Sequence, residues 1–235
     1  MTGGRLERYG PHPDQWVEWW SPDAPAQGTA VLIHGGYWRA RYTADLMLPL
    51  VSPFTSRGWT VANLEYRRAA DGWAALKDDL AAGLAAIRSA GPFSEVTLVG
   101  HSVGGQLALL GGEAGDAVVA LAPVTDLARA YAEGNGGDAV AEFLRGSPAE
   151  LPEVYAEASP LAREPSPAEV LIVHGRDDDR VPVAHSRAYA EATRAAGGRA
   201  SVLELDSLPH LDAIAPDAPH WNAVHAWLDE WDARR

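Results

Sequence analysis

The sequence predicts an α/β protein with a mostly parallel central sheet, helices on both faces and a small helical insertion. Three observations carry that expectation. Short apolar, β-branched runs of strand length alternate with longer stretches of helical spacing, as in βα units around a sheet buried on both faces. The run from Glu95 to Leu110, EVTLVGHSVGGQLALL, passes from such a strand through a very tight turn into a helix. A chain of 235 residues also suits one sizeable α/β core, so residues 1–235 are expected to form a single domain.

Residues 1–14, with Pro11 and Pro13, read as an extended lead-in. Gln15 to Trp20 is aromatic and β-branched enough for a strand, and the segment 21–28 turns the chain on two prolines. Thr29 to Ile33 is an apolar strand that runs straight into His34-Gly35-Gly36-Tyr37-Trp38. Leu46 to Arg57 has apolar residues at helical spacing and stops at Gly58, although Pro49 and Pro53 interrupt it. Thr60 to Tyr66 is the next strand. Asp71 to Ala90 is the clearest amphipathic helix, with Trp73, Leu76, Leu80, Leu84 and Ile87 three or four apart and Gly91-Pro92 closing it. Val96 to Val99 leads into the turn at Ser102, and the helix that follows is closed by Gly111-Gly112.

Further strands are expected at Ala117–Ala122, Val170–Val173 and Ser201–Leu205, and helices up to Ala196 and over Ala218–Trp231. Residues 128–165 break the alternation with Gly134-Asn135-Gly136-Gly137 and at least one short helix bearing Val140, Phe143 and Leu144. An insertion at this edge suits a lid over a cleft as well as a plain surface connection.

Acidic residues outnumber basic ones, 32 to 19, for a net charge of -13, and Lys77 is the sole lysine. Such a surface repels nucleic-acid phosphates and anionic lipid, so neither a nucleic acid nor a membrane is expected as partner. The absence of cysteine removes disulfides, thiolate metal sites and a cysteine nucleophile together. The N-terminal residues have no apolar signal region, and no segment approaches the roughly 18 apolar residues of a membrane span, which makes the cytoplasm the expected location.

Gly100-His101-Ser102-Val103-Gly104 fits G-x-S-x-G. A serine on a strained strand-to-helix turn lifts its hydroxyl above the sheet beside unpaired N–H groups of the helix start, and flanking glycines leave the room. Ser102 is therefore the candidate nucleophile. The glycines after Ile33 let the chain bend so that successive N–H groups point into a cleft at the strand's C-terminal end, where ligands of open α/β sheets bind. The N–H groups of Gly36, Tyr37 and Val103 are the candidate oxyanion donors. His34 reads as a structural residue that bonds this loop.

A serine hydroxyl needs a base, and the base needs a carboxylate to orient it. Both are expected on loops after later strands. Asp177, Asp178 and Asp179 supply the acid. Asp178 is favoured by its place between His174-Gly175 and Val181-Pro182, with its neighbours as solvated or turn-forming alternatives. His210 is the base by elimination: His12 precedes the sheet, His101 sits within the elbow, His34 and His174 open loops, and His185, His220 and His225 fall in predicted helices. Tyr37, Trp38 and Phe143, with Tyr131, are candidate substrate-binding aromatics that would suit a core equally well.

In combination these motifs resemble the α/β-hydrolase superfamily from Tyr9 to the last helix. HGGYW at 34–38 is similar to the corresponding motif of kynurenine formamidases (arylformamidases) and, with other residues in the fourth place, of hormone-sensitive-lipase-like esterases. The resemblance implies a cofactor-free acyl-enzyme mechanism on a small ester or activated amide. It leaves the substrate open, because one scaffold carries many chemistries. Haloalkane dehalogenases and epoxide hydrolases are set aside because they carry aspartate where Ser102 stands. Prolyl oligopeptidases are set aside on length, since 235 residues leave no room for their propeller. An aryl-formamidase would also hold a substrate carboxylate, for which Arg39 or Arg41 is a candidate. The alternative from another class is a ligand-binding or scaffolding protein that keeps the fold without turnover.

Overall fold

The computed structural model describes residues 4–91, 93 and 95–234. Eight strands form one sheet: β1 (Arg5–Arg8), β2 (Trp16–Trp20), β3 (Gly28–Ile33), β4 (Trp59–Glu65), β5 (Thr97–His101), β6 (Ala117–Leu121), β7 (Glu169–Gly175) and β8 (Ala200–Leu205). Their spatial order is β1-β2-β4-β3-β5-β6-β7-β8. β2 runs antiparallel to both β1 and β4, and every other pairing is parallel. This is an α/β-hydrolase fold.

Strand side chains alternate between two cores, as the pleat requires. Ala30 and Leu32 of β3 point to one face, where they join Val61, Val99 and Val119. There they meet α1 (Val51–Ser56) through Phe54 and α8 (His220–Asp232) through Trp221, Val224, Leu228 and Trp231. Val31 and Ile33 point to the other face. They pack against α2 (Gly72–Ala90), whose Trp73, Leu76, Leu80, Leu84 and Ile87 form the buried stripe that its spacing predicts, and against α3 (Val103–Gly111). β3, β4, β5 and β6 are buried along their whole length, so they carry apolar runs with few polar positions.

Three boundaries differ from the sequence expectation. Arg5–Arg8, expected as lead-in, is an edge strand held by its ladder to β2, with an exposed RLER that no alternation marks. The helix expected over Leu46–Arg57 is two pieces, a 3-10 segment Ala44–Leu50 containing Pro49 and the short α1. Proline has no N–H to give an α-helical bond, and the chain tightens there instead. β7 runs on through His174 and Gly175, which pair with Glu204 and Leu205. Pro92, expected to end α2 with Gly91, lies outside the described residues.

The insertion holds three short helices, α4 (Leu127–Ala132), α5 (Ala139–Leu144) and α6 (Pro152–Ala158). α7 (Ala184–Ala195) then precedes β8. Among the described residues no helix is long and apolar enough to cross a membrane.

Candidate active site

The elbow between β5 and α3 is fixed by backbone crowding. A Cβ on Gly100 would stand 2.0 Å from the Gly104 carbonyl oxygen, and one on Gly104 would stand 1.9 Å from that of Ile33. With side chains excluded at both positions, helix and strands close tightly, and Ser102 takes φ 58° and ψ -116°. That is a strained conformation for a residue with a Cβ. Its own backbone is well held: Ser102 N–H donates to Leu121 O at 2.8 Å, and its carbonyl accepts from Gln106 and Val124.

The loop after β3 lies against this elbow. A Cβ on Gly35 would fall 2.6 Å from His101 O and 2.9 Å from Ser102 Cβ. Gly36, Tyr37 and Trp38 follow with φ of 121°, 56° and 55°, and Arg39 N–H closes the turn on Gly36 O at 3.0 Å. Two bulky residues in succession at positive φ are held there by surrounding contacts. Among the described residues no acceptor meets the N–H of Gly36, Tyr37 or Val103, which leaves these donors to a ligand atom or water.

Beneath the loop is a buried polar brace. His34 donates from Nε2 to Glu65 at 2.9 Å and from Nδ1 to Gly35 O at 2.7 Å, and Tyr66 stacks on its ring at 4.4 Å while donating to His34 O. Glu65 also accepts from Arg68, from the Tyr66 N–H and from the Ala44 N–H. Burial pushes the Glu65 carboxyl up, but the bonds from His34 and the charges of His34 and Arg68 outweigh it and hold the group below its ordinary range.

The acid and the histidine meet on loops after β7 and β8. His210 Nδ1 donates to Asp178 Oδ2 at 2.7 Å. The other oxygen of Asp178 accepts the N–H groups of Arg180 and Val181, both at 2.9 Å. His174 Nε2 donates to Val181 O at 2.8 Å and lies 3.3 Å from Asp178, with Ser186 on its other nitrogen. Burial raises the Asp178 carboxyl, yet hydrogen bonds from His174 and His210, with the His210 charge, hold it well below the usual carboxylate range.

The neighbouring aspartates do other things. Asp177 accepts from Ser207 Oγ at 2.6 Å and Leu208 N–H at 2.7 Å, which ties the acid loop to the His210 loop. Asp179 is exposed. His101, which position in the elbow had removed from consideration, donates from Nε2 to His210 O at 2.9 Å.

Trp38 and Phe143 are each 3% exposed and stack on one another at 5.3 Å, so α5 is pinned onto the turn after β3. With Tyr37, Ala69 and Ala139 they line a pocket of about 240 Å³. Tyr131 faces outward against Tyr155. The Gly-rich loop lies on the Tyr37 ring, where a Cβ on Gly136 would come within 2.2 Å of Tyr37 Cδ1. Arg39 bridges this loop, bonding Gly136 O and Glu142, and Arg41 lies over the Tyr42 ring at 4.8 Å. Arg39 also lines that pocket, together with Glu142 and Arg145, whereas Arg41 is exposed. A further cation, Arg180, lies beside the Tyr37 hydroxyl; burial raises the Tyr37 pKa and the Arg180 charge opposes that rise. Its sequence signal was its place two residues after Asp178. Among the described residues no cluster of three or more His, Asp or Glu side chains could hold a metal ion.

The sequence model of the prolyl oligopeptidase family matches residues 72–227, a span that contains Ser102, Asp178 and His210. The exclusion of that family on length is thereby corrected. The esterase LipQ of Mycobacterium tuberculosis (strain ATCC 25618 / H37Rv) is 31% identical, over 84% of this chain and 54% of that protein. This chain spans about half the length of that curated relative. Among solved structures, a truncated carbohydrate esterase from gut microbiota has a TM-score of 0.85 at 19% identity, over 99% of this chain and 97% of that one. Esterase B from Lactobacillus Rhamnosis has a TM-score of 0.81 at 19% identity, over 99% and 86%. At such identities the two structures speak for the fold.

Proposed function

This chain belongs to the prolyl oligopeptidase family, and on that premise we propose that it is a serine hydrolase of small carboxylic esters, with activated amides such as aryl formamides as a second substrate class. The observation that carries this is the 2.7 Å bond from His210 to the buried Asp178, with the His210 main chain bonded to His101, the residue before a serine at φ 58°. Likeness to the esterase LipQ adds support for an ester substrate.

Ser102 Oγ attacks the acyl carbon as His210 takes its proton. The tetrahedral oxyanion is held by the N–H groups of Gly36, Tyr37 and Val103, His210 returns the proton to the leaving group, and water then repeats the cycle on the acyl-enzyme. Asp178 keeps the His210 proton on Nδ1 and steadies the imidazolium. The substrate-binding role of Tyr37, Trp38 and Phe143 rests on Tyr37, whose N–H is an oxyanion donor; the pocket that the three line holds none of Ser102, Asp178 and His210. This reading takes residues 1–235 as one α/β-hydrolase domain, cytoplasmic and without cofactor, with 128–165 seated over the cleft.

Initial rates on p-nitrophenyl acetate, p-nitrophenyl butyrate and N-formylkynurenine, with fluorophosphonate labelling, test it. Turnover of the short esters and labelling lost in Ser102→Ala are expected. A strong formamide preference would make the chain an arylformamidase. A folded wild type that neither turns over nor labels would return the non-catalytic alternative.

The aspartate assignment has its own test. Asp178→Asn is expected to lower kcat by about 10⁴-fold, because an amide at this site either presents NH₂ to His210 Nδ1 or abandons the Arg180 and Val181 N–H groups. Asp177→Asn and Asp179→Asn are expected to stay within about tenfold of wild type. Stability supplies a second readout. The folded Asp178 carboxyl titrates below its unfolded value of 3.8, so its contribution is full above that value and is lost as pH falls through the depressed folded value. The stability deficit of Asp178→Asn, measured by urea unfolding, should shrink accordingly in acid.

A further inference from the structure

We propose that His101 is a positioning residue that ties the His210 base to the Ser102 nucleophile; the proposal rests on the serine-hydrolase reading above. His101 is the last residue of β5 and the chain neighbour of Ser102, and it is 3% exposed. Its Nε2–H reaches the His210 carbonyl oxygen at 2.9 Å, across 109 positions of sequence. The two rings lie 4.6 Å apart with their planes at 47°.

His210 is therefore held at two points. Asp178 grips its Nδ1 and fixes the tautomer and the ring plane, but Asp178 stands on the loop after β7 and sets the ring relative to that loop. His101 grips the main chain of His210 and is itself one peptide bond from Ser102. A single hydrogen bond and a stiff stretch of backbone thus connect the base to the nucleophile. The Ser102 main chain is immobilised by Leu121, Gln106 and Val124, so the His101 bond transmits a fixed position. The reach between a serine and its base must be held closely, because a misplacement of about 1 Å costs on the order of a hundredfold in rate.

A residue that merely filled this space would be apolar, since burying imidazole nitrogens carries a desolvation cost that a phenyl ring avoids. The bond is worth that cost only if the donor is used. Burial, and after it the His210 charge, press the His101 pKa down to about 3. His101 thus stays neutral through the working pH range and places no second positive charge beside the imidazolium formed at His210.

Two substitutions separate donor from volume. His101→Phe keeps a ring and removes the donor, whereas His101→Gln supplies a side-chain N–H at comparable reach. On p-nitrophenyl butyrate, His101→Phe is expected to lower kcat by about a hundredfold with KM changed by less than about twofold. His101→Gln is expected to recover kcat to within about tenfold of wild type. Melting temperatures within about 3 °C of wild type would show that the fold is intact. The low-field proton resonance of His210 Nδ1–H gives a readout that needs no turnover: present in wild type, lost to exchange in His101→Phe and restored in His101→Gln. Undiminished kcat in His101→Phe, or equal losses in both variants, overturns the positioning role. If wild type hydrolyses no substrate, the resonance alone decides. Its loss in His101→Phe then sustains the tie while the hydrolase reading falls, and its persistence overturns the tie.

Discussion

Ser102→Gly is expected to remove ester turnover, by about a millionfold in kcat, and at the same time to raise the unfolding free energy by about 1 kcal/mol. The two effects have one origin. Ser102 sits at φ 58° and ψ -116°, where a Cβ crowds its own peptide neighbours, and such conformations cost about 1–3 kcal/mol. Glycine accepts the same angles without that crowding. Part of the relief is returned, because glycine frees the unfolded chain by about 0.5–1 kcal/mol, which leaves a net gain near the lower end of the strain.

Ser102→Ala separates the terms. It loses the nucleophile equally, but it keeps the Cβ and therefore the strain, so its stability should match wild type to within about 0.5 kcal/mol. Urea unfolding of the three proteins reads the difference directly, and a gain of 1 kcal/mol corresponds to about 2–4 °C in melting temperature for a chain of this size. Equal stabilities for the glycine and alanine variants would mean that the elbow stores no strain. A serine kept at such an angle against the chain's own stability is what projection of a hydroxyl into a cleft requires.

What was legible in the sequence follows the range of the interaction concerned. The α2 stripe of Trp73, Leu76, Leu80, Leu84 and Ile87 was readable because its spacing is a local property and all five face one core. The elbow is readable because Gly100 is forced by Gly104 and Gly105 of the same turn, while the crowding of Gly104 comes from Ile33 and His34 at the end of β3. Arg5–Arg8 was not, since an edge strand with solvent on both sides needs no alternation and is defined by its partner β2. The place of Asp178 between His174-Gly175 and Val181-Pro182 favours it over its neighbours, but a local rule leaves Asp177 and Asp179 as alternatives. Only the path of the chain aims Asp178 at His210 and Asp177 at Ser207 and Leu208. The His101 contact is hidden in the sequence for the same reason. Its partner lies 109 positions away, and nothing beside it in sequence announces one. Trp38 and Phe143 suit core and substrate contact equally by sequence, and they form a buried stacked pair that also lines the pocket.

Gly104→Ala is expected to cost about 4 kcal/mol or more in unfolding free energy, enough to leave little folded protein at 37 °C. The added Cβ would lie 1.9 Å from Ile33 O and 2.6 Å from His34 O. Both are main-chain atoms at the end of β3, so no rotamer change relieves the clash. Either α3 withdraws from the sheet, opening the core around Val103 and Leu107, or the end of β3 moves and carries the Gly36–Tyr37 turn with it. Gly111→Ala provides the comparison in the same helix. Its Cβ would meet Leu84 Cδ1 at 2.6 Å, the far end of a side chain that can rotate, and a loss near about 1 kcal/mol is expected. Urea midpoints for the two variants measure the difference. Near-equal midpoints would show that helix and strand tolerate separation at the elbow. A wide gap, with the residual folded Gly104→Ala protein failing to label with fluorophosphonate, would show that the contact which seats the helix also aligns the serine with its oxyanion donors.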